Sequence, residues 1–134
     1  MTLKMNIESP KVIVEKSSEY LFNALSEVKN YEKLMPDNIA KFEVLGEDIF
    51  NFGLAGMPEI KLKLKEGTPN SKVVLVAASD KLPFSLTASI KEITSSSCEA
   101  QLHFEGEFNP MMAMMIKGPI TKFIETLVSN MHKL

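Results

Sequence analysis

The stretch from Asn109 to Leu134 constrains this chain most, because it has the pattern of a long amphipathic helix with its own start signal. Asn109 suits an N-cap, where its side chain accepts from a free amide of the first turn. Pro110 follows at the first helical position, where a missing N–H costs nothing. Met112, Ile116, Ile120, Phe123, Leu127, Met131 and Leu134 recur at steps of three and four, which puts them on one stripe of a helix. Lys117, Thr121, Lys122, Glu125, Ser129 and Lys133 fall on the opposite arc. A helix of this length spans roughly 37 Å, so the rest of the chain must supply a surface long enough to cover it. Met111, Met114 and Met115 make the first turns apolar nearly all round. Such an adaptable methionine cluster suits core packing, the lining of a ligand cavity, or an exposed contact patch. Gly118-Pro119 then predicts a kink or a break, since Pro119 has no amide for the carbonyl of Met115.

The covering surface is written upstream in period two. Met1–Asn6 reads as a loose lead-in, and Ile7–Glu15 as a strand with Pro10 at an edge or bulge. Ser17 and Ser18 offer an N-cap for a short helix carrying Leu21, Leu25 and Val28. Asn30 breaks it, and Tyr31–Met35 forms a further turn or two, stopped by Pro36. Ala40–Leu45 and Ile49–Leu54 are strands joined at Gly46-Glu47-Asp48, with Phe42, Val44, Phe50, Phe52 and Leu54 on one inner face. Ala55–Pro58 turns the chain. Glu59–Lys65 alternates, with Ile60, Leu62 and Leu64 inward and Lys61, Lys63 and Lys65 toward water. Gly67–Asn70 turns again, and Val73–Ala78 is a continuous apolar run whose inward parity is ambiguous. After a turn at Ser79-Asp80-Lys81, Phe84–Ile93 and Cys98–Phe108 form the last strands, joined at Thr94-Ser95-Ser96. Their inner faces carry Phe84, Leu86, Ala88 and Ile90, then Cys98, Ala100, Leu102 and Phe104.

Strands in succession, with helices segregated from them, define an α+β chain. Connections of two to five residues force neighbours to pair as a meander. Six or seven such strands with one apolar face twist and curl, leaving a concave side for the long helix. The 134 residues read as one domain spanning 1–134, without repeat or linker.

Composition excludes several functions. A net charge of -2 with no basic–aromatic cluster argues against nucleic acid as a partner. All fifteen basic residues are lysine, so bidentate guanidinium recognition of phosphate or carboxylate is ruled out. A single cysteine forms no internal disulfide and fits a reducing, cytoplasmic setting. No apolar run reaches the roughly 18 residues of a membrane span. Cys98, His103 and His132 are too few for a structural zinc site, and no cofactor motif is present. His103 shares the outward parity of Gln101 and Glu105, and most acidic residues lie on outward parity or at turns. Asp48, Asn51 and Asp80 have room to border an interior, but no feature of the sequence singles them out.

The order β-α-α-β6-α, together with Ser17–Pro36 (SSEYLFNALSEVKNYEKLMP), resembles the helix-grip fold of the START-like, or SRPBCC, superfamily. Ser17, Leu21, Leu25, Val28, Tyr31, Leu34, Met35 and Pro36 fit the superfamily's helix-pair pattern. The Leu34-Met35-Pro36 ending is similar to the coenzyme Q-binding and polyketide-cyclase-like branches and suggests a bacterial member. The absence of tryptophan and arginine departs from the pattern. The resemblance implies a curved sheet of six to seven strands wrapped around the C-terminal helix, and an apolar cavity between them. Its walls are then Phe52, Leu54, Leu62, Leu64, Phe84, Leu86, Leu102 and Phe104. Leu34 and Met35 stand at the mouth, and Met112, Met115, Ile116 and Phe123 line the helix side. The function expected is binding or transport of a small hydrophobic ligand such as a lipid, quinone or polyketide, by a monomer or homodimer. The competing expectations are a cyclase or aromatase-like enzyme, which needs polar groups converging inside, and an interaction module using the methionine-rich turns.

Overall fold

The computed structural model describes residues 2–54, 59–78 and 84–134. The turns expected at Ala55–Pro58 and Ser79-Asp80-Lys81 lie outside the described residues. Eight strands form one antiparallel sheet: β1 (Leu3–Glu8), β2 (Val12–Val14), β3 (Ile39–Val44), β4 (Ile49–Leu54), β5 (Ile60–Thr68), β6 (Lys72–Ala77), β7 (Phe84–Thr94) and β8 (Ser97–Phe108). Their spatial order is β1-β8-β7-β6-β5-β4-β3, and β2 also pairs with β8. From β3 onward every neighbour in sequence is a neighbour in space, as short connections require. Helix α1 (Ser18–Leu25) and a 3-10 helix (Val28–Leu34) follow β2, and helix α2 (Pro110–Ser129) follows β8.

The first strand is divided, and the lead-in is not loose. Pro10 cannot donate to the ladder, and Ser9 takes up the slack. Its amide donates to the Leu102 carbonyl at 2.9 Å, and its Oγ accepts from the Leu102 amide at 2.8 Å. Gln101 Nε2 donates to the Ser9 carbonyl at 2.9 Å. The chain thereby stays on β8 across the break: β1 pairs with His103–Phe108 and β2 with Cys98–Ala100. Leu3–Asn6 is ordered by a partner roughly a hundred residues away, so no local pattern reveals it.

The helical pair before β3 is set by spacing. Ser17 caps α1 by accepting from the Tyr20 amide at 3.0 Å, and Leu21 and Leu25 point inward. Val28, Tyr31 and Leu34 are all buried and lie three residues apart, the repeat of a 3-10 helix. Val28 therefore belongs to this second element and not to the first. Tyr31 Oη donates to the Leu25 carbonyl at 2.6 Å and ties the two together.

Inner parity in the sheet follows the alternation, with three refinements. β6 turns Val73 and Leu75 inward and leaves Val74 and Val76 half-buried. Val44 pairs with Phe50 and so has its parity, but at the end of the edge strand β3 it is left exposed. In β5 the register shifts between Lys65 and Thr68. There a Cβ on Gly67 would stand 2.2 Å from the Lys72 carbonyl oxygen, so the irregular ladder requires glycine.

Helix α2 begins as its cap residues dictate, with Asn109 Oδ1 accepting from the Met112 amide at 2.8 Å. It then runs through Pro119 to Ser129 without a break. Gly118 and Pro119 are both exposed. The carbonyl left without an amide partner therefore lies on the wet side, where water satisfies it. A short 3-10 turn, Met131–Lys133, ends the chain. Asn130 Nδ2 donates to the Leu34 carbonyl at 3.0 Å and fastens this end of α2 to the 3-10 helix.

Candidate functional site

Aliphatic side chains and several stacked aromatic rings fill the space between the sheet and α2. Phe52 of β4 stacks on Phe123 of α2 with ring centroids 4.9 Å apart. Phe50, behind it, stacks on Tyr31 at 5.1 Å. Toward the other side of the sheet Phe104 meets Phe84 at 4.9 Å and Phe108 at 6.0 Å. Beside Tyr31, among α1, the 3-10 helix, β6–β8 and the end of α2, lies a void of about 10 Å³, on the scale of a single water molecule. Leu34, Leu86 and Leu102, all expected at the site, border it. Leu25, Tyr31, Val73, Leu75, Ala88, Leu127 and Met131 complete the lining.

The other expected residues divide by burial. Met35, Leu54, Leu62, Ile116, Phe52, Phe104 and Phe123 lie in the same buried core. Leu64, Phe84 and Met112 are half-buried against it. Met115 does not face inward at all. It is 66% exposed, and its neighbours Met111 and Met114 are 75% and 83% exposed. The buried stripe of α2 runs through Ala113, Ile116, Ile120, Phe123, Ile124 and Leu127. Met115 is about 100° of helix rotation from Ile116, on the side away from that stripe.

The lining positions that sequence reasoning missed had partial signals. Leu127 and Met131 belong to the recognised helix stripe, and Ala88 has inward parity on β7. Val73 and Leu75 sat in the run whose parity was ambiguous. Tyr31 was legible as a motif residue without a stated role.

The lining is carbon and sulfur apart from one phenol. Burial pushes the Tyr31 hydroxyl well above the ordinary tyrosine range, and its proton is committed to the Leu25 carbonyl. Cys98 is fully buried, and desolvation pushes its thiol up, the opposite of what a nucleophile needs. His103 is half-buried, with Nε2 3.3 Å from Asn6 Oδ1. Among the described residues no group of three or more His, Cys, Asp or Glu side chains converges as metal ligands do.

Of the polar residues expected to border the interior, Asp48 and Asn51 do not. Asp48 is exposed in the β3–β4 turn, where its carbonyl accepts from the Leu64 amide at 2.7 Å. Asp80 lies outside the described residues. Asn51 is buried, but on the sheet face opposite Phe50 and Phe52. Its Nδ2 donates to Glu59 Oε1 at 2.6 Å, and Lys41 Nζ stands 3.3 Å from the same oxygen. The Asn51 hydrogen bond, then the Lys41 ammonium, hold the Glu59 carboxyl below its usual range. Among the described residues Asn51 Oδ1 has no partner.

Norcoclaurine synthase from Thalictrum flavum superimposes on this chain with a TM-score of 0.76 at 16% identity, over 98% of this chain and 86% of that one. A START superfamily protein from Mycobacterium smegmatis gives 0.69 at 15% identity, covering 98% and 93%. This is the START-like helix-grip fold. The Zhui aromatase/cyclase from Streptomyces sp. R1128 also has it, with a TM-score of 0.74 at 10% identity over 98% and 93%. No protein-family model and no curated protein sequence matches the chain. At such identities the shared property is the helix-grip architecture, which places a concave sheet around α2 and an interior between them. Among the described residues no helix is long and apolar enough to cross a membrane.

Proposed function

We propose that this helix-grip protein binds a small hydrophobic molecule, of the size and character of a lipid, quinone or polyketide, between its sheet and α2. The observation that carries this reading is the chemistry of the interior lining: aliphatic side chains, the Met131 thioether, and a phenol already committed to Leu25. Such a surface recognises shape and apolar area, and binding then comes from burial at about 25 cal/mol per Å². Leu34, Leu86 and Leu102 form the floor of the proposed pocket, while Met112, Ile116 and Phe123 form its helix side. An enzymatic reading draws on the synthase and the aromatase/cyclase that share the fold. It calls for at least two polar groups facing a substrate, and among the described residues the lining of this void offers only Tyr31.

A void of about 10 Å³ holds no such ligand, so uptake requires expansion. The first half of α2 is the part suited to move. It buries only Ala113 and Ile116, and it joins the second half at Gly118-Pro119, where one helical hydrogen bond is missing. Titration with the apolar fluorophore diphenylhexatriene tests the reading. Saturable one-to-one binding is expected, and Ala88→Leu, which fills the void, is expected to weaken it about tenfold or more, consistent with the 1–3 kcal/mol cost of overpacking. Absence of saturable binding, or equal affinity in a folded Ala88→Leu variant, contradicts it.

A further inference from the structure

The exposed arc at the start of α2 is unlike the rest of the surface. Met111 and Met115 are one turn apart on one stripe, and Met114 adjoins them; all three are largely exposed. Lys122 continues the stripe two turns beyond Met115, and Lys117 follows Met114 by one turn. From Asn109 to Ile124 there is no acidic residue. The first, Glu125, is eleven residues past Met114, about 16 Å along the axis; it stands one turn from Lys122 and partly offsets it, whereas Lys117 has no acidic residue within a turn on the helix. Glu105 and Glu107 precede the helix in sequence. They have the outward parity of β8, opposite Phe104 and Phe108, and Lys4 stands 3.4 Å from Glu105. The helix lies on the inner face, so these carboxylates do not neutralise the arc.

We infer that this arc is a docking surface for an anionic lipid bilayer, with Met111, Met114 and Met115 entering the interface and Lys117 and Lys122 meeting the headgroups. Two observations select this occupant. Three side chains fall far short of the 20–30 residues a side that a standard protein interface uses, which disfavours a second copy of the chain. Apolar insertion plus lysines on a helix face with no acidic residue beside its methionines is the combination that holds a peripheral helix at a negatively charged surface. The inference goes beyond the pocket reading and does not depend on it: vesicle association is read without any pocket ligand, so either can fail alone.

The test is co-sedimentation of the full chain with vesicles of phosphatidylcholine containing phosphatidylglycerol, and with phosphatidylcholine alone. Association is expected with the anionic vesicles and is expected to fall with added salt. The triple variant Met111→Ser, Met114→Ser, Met115→Ser should lose roughly tenfold or more in partitioning. Lys117→Gln with Lys122→Gln should lose a similar factor, and only on anionic vesicles. Exposed positions leave folding intact, which a thermal melt checks. No association of the wild-type chain overturns the inference, as does association unchanged in the triple methionine variant. A chain that ignores vesicles but forms a dimer dispersed by the methionine substitutions also overturns it, in favour of a second copy.

Discussion

The two halves of α2 form one unbroken helix, yet they relate to the core in opposite ways. Ile120–Ser129 buries Ile120, Phe123, Ile124, Leu127 and Val128, stacks on Phe52, and is fastened beyond its end by Asn130 to Leu34. Pro110–Pro119 buries two residues and presents three methionines to solvent. The same rod thus serves as a core element at one end and as a lightly held flap at the other, with Gly118-Pro119 between. Helix propensity does not explain this, because both halves are helical. The difference lies in how much apolar area each buries, the quantity that sets local stability.

The largest expected effect is in the second half. Phe123→Ala removes the ring stacked on Phe52 and should cost about 3–5 kcal/mol in urea unfolding. A loss under 1 kcal/mol would erase the contrast. Next comes the floor beneath that half. Tyr31 keeps its proton above its ordinary value of 10.0. The unfolded chain ionises first, so stability should be level below pH 10 and fall above it, and Tyr31→Phe should remove part of that fall. In the first half, Asn109→Ala removes the cap and should cost about 1 kcal/mol. That loss should appear mainly as faster amide exchange in residues 111–118.

Gly118→Ala sharpens the comparison in the other direction. A Cβ there meets nothing within 4 Å beyond its own helix backbone and chain neighbours, so the helix should gain up to about 0.5–1 kcal/mol, less what a Cβ loses against the ring of Pro119. If the first half opens to admit ligand, the same change should slow diphenylhexatriene uptake. The smallest effect belongs to Met114→Ala, expected within about 0.5 kcal/mol of wild type.

The same contrast separates what was readable in the sequence from what was not. The C-terminal helix and strands β4, β5, β7 and β8 were legible because their apolar residues recur at the period of a helix or of a strand. The stripe visible in the sequence runs through large methionines, whereas the buried face is centred slightly aside, on positions that include the small Ala113 and the neighbour Ile124. That rotation is why Met112 came out half-buried and Met115 exposed. β1 was illegible for a different reason, since its order comes from pairing with β8 and not from its own composition. The interior lining was legible by class but not as a set. Parity names the residues facing inward, while only packing in three dimensions decides that Phe52 meets Phe123 and that Ala88 and Leu127 leave a small gap. Nor does parity foresee Asn51 buried on the outer face, because its cover comes from Glu59 and Lys41 across strand neighbours.

The account rests on the interior opening to hold an apolar molecule, and native mass spectrometry tests this most directly. The chain is incubated with a total lipid extract, exchanged into volatile buffer and weighed intact. The account predicts one apolar adduct per chain, released when the protein is unfolded and diminished in Ala88→Leu. A bare chain mass after that incubation, under conditions that keep the protein folded, would contradict it.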